Sequence, residues 1–212
     1  MKKIALLAIV GLAASAAQAQ TFSFTGTPVA IPDNVAAGVS INTGAVVGTD
    51  AIITAVSVTI AFDPRHTWIG DLIATLTYTP TVGPVTSVSL FNRVGRVATG
   101  FGDSSAVLGS YLFADGGADF WAAAAGVGFG VNIPNATYAA SGAGSGAALA
   151  MDATFAGLSS AGSWSLTVSD LGGGDTGTIA SANVSIRTIP SPAAAALLGL
   201  GGLVATRRRR LA

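Results

Sequence analysis

The only histidine of the chain, His66, stands in Arg65-His66-Thr67-Trp68-Ile69-Gly70-Asp71-Leu72, with Asp63 ahead of it and Asp71 behind. A histidine oriented by a carboxylate is the general-base half of a hydrolytic triad, and Gly102-Asp103-Ser104-Ser105 offers a serine as nucleophile. Such a triad works only when all three groups come within hydrogen-bond reach on rigid strand or helix ends. The spacing does not provide that. The Gly-Asp-Ser string also lacks the preceding strand, and the Asp/His pair near the C-terminus, that lipase-type enzymes use. His66 therefore reads as a structural residue, with metal ligation as the alternative, and no catalytic residue is expected.

The acidic residues offer a second chemistry. All ten are Asp, and Asp33, Asp71, Asp170 and Asp175 fall at the ends of expected strands, with Asp63 close by. Calcium takes about six to eight oxygens at roughly 2.3–2.6 Å, and turns rich in Asp and Gly supply both carboxylates and carbonyls. These four are the candidate calcium ligands. The same residues can instead cap turns by accepting backbone N–H bonds, so both readings stand. No Asp-x-Asp-x-Asp-Gly loop is present, which excludes an EF-hand, and Gly172-Gly173-Gly174 precedes a strand rather than a helix, which excludes a phosphate loop. Trp68, Trp121 and Trp164 could form a sugar-stacking face. Trp164 alternates with Leu166 and is expected in the core, and Trp68 over a sheet edge.

The elements that must position these residues lie between two ends of different character. Lys2 and Lys3, an apolar run over 4–14 and Ala17-Gln18-Ala19 read as a secretory signal peptide over 1–19. At the other end Ile189-Pro190-Ser191-Pro192 interrupts the last strand, 193–206 is apolar, and Arg207-Arg208-Arg209-Arg210 follow. The apolar piece is shorter than the ~20 residues of a membrane span. This tail, 189–212, resembles the PEP-CTERM sorting signal of bacterial envelope proteins, with Ser191 in place of the central Glu. The resemblance implies an exosortase-like sorting enzyme as a partner and a destination at the cell envelope, cell surface or extracellular matrix.

Between the ends, 20–188 is the expected folded domain. The whole chain is formally neutral, but Lys2, Lys3 and the terminal arginines belong to the ends, leaving four arginines against ten Asp, a body charge of −6. An acidic surface excludes nucleic acid as a partner. With no cysteine, neither disulfides nor thiolate metal sites can support the domain. Short β-prone pieces lie around Phe22 and Val29. Residues 52–62 alternate Val56, Val58, Ile60 and Phe62 with small polar residues, and Asp63-Pro64 is expected to end that strand. Leu72, Ala74, Leu76 and Tyr78 mark the next, 71–79, with a hairpin return over 85–91, so three successive strands point to one antiparallel sheet. Residues 95–146 read as irregular, rich in Gly, Ala and Ser, with one helical turn at Ala122-Ala123-Ala124-Ala125 and with Phe101, Tyr111, Phe113, Phe120, Trp121 and Phe129 pinning the loop to the core. Order returns at 163–170, with Trp164, Leu166 and Val168 on one face, and at 179–187, with Val184 and Ile186 inward. The pattern implies an all-β, antiparallel β-sandwich of jelly-roll type.

Three separated blocks carry a family resemblance. Ala30-Ile31-Pro32-Asp33-Asn34, then His66-Thr67-Trp68-Ile69-Gly70-Asp71-Leu72 with Leu90-Phe91-Asn92-Arg93-Val94-Gly95, then Gly162-Ser163-Trp164-Ser165-Leu166-Thr167-Val168-Ser169-Asp170 with Gly174-Asp175-Thr176-Gly177, resemble the P domain (P/Homo B domain) of proprotein convertases. The resemblance runs from about Thr21 to Arg187 and implies a galactose-binding-like jelly roll. It implies a module that follows and stabilises a subtilisin-like serine protease, or in bacteria stands alone or appended, and that can bind calcium. Only the export signal is expected ahead of the body, so the family's catalytic residues have no positions here. Phe113-Ala114-Asp115-Gly116-Gly117-Ala118-Asp119 departs from the family's more acidic stretch. The expected function is a non-catalytic, exported module that binds calcium and a protein or polysaccharide partner. The alternatives are an accessory domain stabilising a subtilisin-like serine endopeptidase in trans, and a carbohydrate-binding jelly roll.

Overall fold

Period-two alternation turns most of the body into strands whose apolar faces meet. The structure, a computed structural model, describes residues 17–44 and 51–191. Most of the expected signal peptide, 1–19, and of the expected sorting tail, 189–212, lies outside the described residues, among which no helix is long and apolar enough to cross a membrane. The strands in chain order are β1 (Gln18–Ser23), β2 (Val29–Ile31), β3 (Val35–Asn42), β4 (Ala51–His66), β5 (Leu72–Pro80), β6 (Thr86–Asn92) and β7 (Val107–Ala118). Helix α1 (Phe120–Ala125), the two-residue strands β8 (Thr137–Tyr138), β9 (Ala140–Ser141) and β10 (Ala148–Leu149), and helix α2 (Met151–Phe155) follow. Strands β11 (Gly162–Asp170) and β12 (Gly177–Pro190) close the domain.

One sheet has the order β1-β12-β4-β7-β8, with β2 also on β12, the facing sheet has the order β3-β11-β5-β6, and β9 and β10 form a small two-stranded sheet of their own. Every pairing is antiparallel except β7 with β8. The chain crosses repeatedly from one sheet to the other, and β5–β6 is the hairpin that stays within one sheet, which gives the jelly-roll sandwich. Leu72, Ala74, Leu76 and Tyr78 on β5 and Trp164, Leu166 and Val168 on β11 are buried, as alternation requires. They face Val56, Val58, Ile60 and Phe62 of β4 and Val184 and Ile186 of β12. Full burial of side chains of this size is worth about 1.5–3 kcal/mol each, which is how a chain without cysteine stabilises its domain. Trp164 is central, with its ring 4.4 Å from Tyr78 and 5.0 Å from Phe155. The outer faces carry small hydroxyls that pair across strands, Ser40 with Thr167 at 2.7 Å and Thr77 with Ser87 at 2.8 Å.

The structure corrects three expectations and bears out a fourth. β4 does not stop at Asp63-Pro64 but runs on to His66, because the register with β7 is broken between Phe62 and His66 and the proline removes no ladder donor there. β4 and β5 lie in different sheets, since a buried 3-10 turn at Ile69–Asp71 carries the chain across the end of the sandwich. The segment read as irregular contains β7, a twelve-residue strand next to β4. Gly109 and Gly116, both at positive φ, interrupt the alternation that would have revealed it, while Tyr111 and Phe113 still point inward. The expected helical turn is α1, whose N-terminus is capped by the Asp119 carboxylate accepting from the N–H groups of Trp121 and Ala122.

Register fixes which residues share an end. Pro190 pairs with Ala51, Gln18 with Thr188 and Gly162 with Pro80, so both ends of the body emerge together. The opposite end gathers the end of β4, the starts of β5, β7 and β12, and the end of β11.

Candidate functional site

That opposite end holds His66, Ser105 and the four candidate aspartates. His66 closes β4 with no solvent exposure. Its Nε2 donates to Asp170 Oδ2 at 3.0 Å, and its Nδ1 accepts from the Trp68 N–H at 3.3 Å, so the proton sits on Nε2 and both ring nitrogens are committed. The orienting carboxylate is thus Asp170, not Asp63 or Asp71. Asp170 Oδ1 accepts in turn from the Gly172 N–H at 3.0 Å. Ser105 is buried, and its hydroxyl makes no hydrogen bond among the described residues. Among the described residues no nucleophile is joined to His66.

Asp71 ends the 3-10 turn and meets Arg93, whose Nη2 donates to Asp71 Oδ1 at 3.3 Å. Arg93 also donates through Nε to the Gly70 carbonyl at 2.7 Å and through Nη1 to the Leu171 carbonyl at 3.5 Å. One guanidinium therefore ties the β5 entrance to the loop after β11, and the Leu171 N–H donates back to the Asp71 carbonyl at 2.9 Å. Arg93 reaches inward from a left-handed backbone, φ 46°, at the end of β6. Burial pushes the Asp71 carboxyl up, the Asp170 charge adds to that, and the Arg93 guanidinium opposes it. Burial and the neighbouring Arg96 push Arg93 down. Both groups move toward their neutral forms, so desolvation outweighs the attraction between them.

The glycines of Gly172-Gly173-Gly174 find their reason here. A Cβ on Gly172 would lie 2.1 Å from the Asp71 carboxylate, so only glycine lets the loop close over that side chain. Gly177 also passes His66 closely, with a Cβ placed 2.7 Å from the His66 Cβ.

The other two predicted ligands are more open. Asp33 accepts from the Gly174 N–H through both oxygens, at 3.1 and 3.2 Å, and Asp175 accepts from the Thr67 hydroxyl. All four aspartates therefore share one end of the sandwich and bear on the loop between β11 and β12, through Leu171, Gly172, Gly174 and Asp175 itself. Among the described residues no group of three or more His, Cys, Asp or Glu side chains is placed to hold a metal ion. Asp71 Oδ1 is already taken by Arg93, and the two oxygens of Asp170 by His66 and the Gly172 N–H. Asp33 and Asp175 have no cationic partner among the described residues.

Arg93 carries no chemical motif of its own in the sequence. The available signal was its scarcity, one of four arginines in an acidic body, inside a strand-ending Asn-Arg-Val-Gly. The aromatic expectations divide. Tyr111, Phe113 and Phe120 are buried, but Phe101 and Phe129 are 75% and 78% exposed and do not pin the loop to the core. Trp164 is core, as expected, and Trp68 lies beside Phe129 with ring centroids 6.0 Å apart.

No family model matches the chain, and no curated protein matches it. Among solved structures, the serine protease of Aeromonas sobria in complex with its chaperone is similar at 17% identity and a TM-score of 0.43, over 82% of this chain and 27% of that one. The serine protease of Aeromonas sobria gives 18% identity and a TM-score of 0.41, over 81% of this chain and 26% of that one. The chain spans about a quarter of the length of these neighbours.

Proposed function

We propose that this chain is a non-catalytic, exported β-sandwich module of P-domain type that binds a partner at the cell envelope or matrix. The observation that supports this most is the state of its only histidine, which is fully buried with both ring nitrogens hydrogen-bonded. No general base faces solvent from that position, and the charged groups around it hold loops together. Assay of the purified chain on ester, peptide and glycoside substrates is expected to give no turnover. Turnover that His66→Ala abolishes would overturn the proposal.

Calcium belongs to the proposal as a ligand of the acidic loops, with Asp33 and Asp175 as the carboxylates still open to an ion. Millimolar calcium raising the melting temperature relative to EDTA would support it, and an unchanged melting temperature would remove calcium from the account. The sequence resemblance to P domains also proposes a separately encoded subtilisin-like protease among the partners. Co-purification of such a protease from the native cell tests that assignment.

A further inference from the structure

Two loop tips at the same end share one construction. Gly100-Phe101-Gly102 and Gly128-Phe129-Gly130 each place a phenylalanine between two glycines, and all four glycines are left-handed, with φ of 100°, 75°, 87° and 67°. Consecutive reversals of this kind turn the middle residue outward, and both rings stand in solvent.

The tips are nonetheless fixed. Trp68 lies between them, donating through Nε1 to the Phe101 carbonyl at 3.0 Å and meeting the Phe129 ring edge-on. Gly70 and Gly102 approach so closely that a Cβ on Gly70 would lie 2.4 Å from the Phe101 carbonyl oxygen. The Gly70 N–H bonds the Asp103 carbonyl at 2.9 Å, the Gly130 N–H bonds the Ser104 carbonyl at 2.9 Å, and Arg65 Nη1 donates to the Gly130 carbonyl at 3.1 Å. Large apolar rings held out in water on pinned loops cost solvation free energy and stabilise no core, which is the mark of a preorganised binding surface.

We infer that Trp68, Phe101 and Phe129, with Arg65 beside them, form a platform for a neutral polysaccharide. The inference rests on the non-catalytic module reading and names its ligand class. Aromatic faces suit the C–H faces of pyranose rings, and the unused N–H groups of Arg65 suit sugar hydroxyls. Charge selects the neutral class: the body carries four arginines against ten aspartates, and Arg93 is buried, so polyanions and anionic lipid are repelled. Position agrees. Both ends of the body leave the sandwich at the far end of β12, fourteen residues or about 45 Å away at about 3.3 Å per residue. A body tethered by its tail therefore presents the platform outward.

Native affinity electrophoresis of the full exported chain, in gels carrying soluble neutral glucans, mannans or xylans, tests this against gels carrying alginate. Pull-down on cellulose and chitin extends it to insoluble polymers. Retention by at least one neutral polysaccharide is expected, weakened about tenfold or more in the Phe101→Ala/Phe129→Ala double variant. It is expected to be unchanged in Val82→Ala, an exposed residue at the opposite end. The platform is overturned if no neutral polysaccharide retains the chain, if the double variant is retained equally, or if only alginate retains it. It is also overturned if the double variant's sole change is loss of self-association or of binding to phosphatidylcholine vesicles. Absence of both retention and turnover overturns the platform and leaves the module reading in place. Retention accompanied by release of reducing sugar supports the platform and overturns the non-catalytic reading.

Discussion

His66 and Trp68 are two residues apart, and they belong to the inside and the outside of the same end of the molecule. Inside, His66, Asp71, Arg93 and Asp170 are withdrawn from solvent and hold three loops through directed hydrogen bonds. Outside, Phe101 and Phe129 stand exposed on loops that the backbone has already fixed. The difference teaches that charge in a small cysteine-free sandwich can act as an internal clamp, while the surface it stabilises presents aromatic rings. Clamp variants should change stability, and platform variants should change binding alone.

The largest effect is expected from removing one member of a buried pair. His66→Ala leaves Asp170 Oδ2 buried without its donor, and Arg93→Ala leaves Asp71 buried beside a second carboxylate. Each is expected to cost about 3–5 kcal/mol, read as a lower midpoint in urea with an unchanged slope. A loss below about 1 kcal/mol for both would dissolve the clamp side of the comparison.

Gly172→Ala comes next, because its Cβ would overlap a carboxylate that cannot retreat from Arg93. Overpacking of this kind costs about 1–3 kcal/mol by the same measurement.

A smaller effect concerns pH. Burial and Asp170 raise the Asp71 carboxyl above its ordinary 3.8, with Asp175 adding to them and Arg93 and His66 opposing. The folded chain thus binds that proton more tightly than the unfolded chain. The stability it contributes is complete below pH 3.8 and is lost as pH rises through the raised folded value. In Asp71→Asn, whose carbonyl can still accept from Arg93, that loss disappears. The melting temperature of this variant relative to wild type is expected to rise from pH 4 toward neutrality, and a parallel pH profile would contradict the shift.

The fold was legible where alternation was clean. Leu72 to Tyr78 and Trp164 to Val168 announced their buried faces, and the four aspartates were placed correctly at strand ends. β7 was hidden because Gly109 and Gly116 break its period, and the sheet membership of β4 was hidden because Ile69, Gly70 and Asp71 look like strand entrance rather than a crossover. Within the site, pairing was the illegible part. Asp170 lies 104 residues from His66, and no local pattern distinguishes it from Asp63 or Asp71. The rings at Phe101 and Phe129 stand outside the core, where hydrophobicity alone would not place them, because the positive φ of their flanking glycines turns them outward.

The most direct measurement melts the Phe101→Ala/Phe129→Ala variant beside His66→Ala and wild type in one buffer. With the outside of this end built for binding and the inside for holding, the double phenylalanine variant is expected to melt within about 0.5 kcal/mol of wild type while His66→Ala falls by several. A double variant that melts as low as His66→Ala would show the two regions to be one core, and would contradict the account.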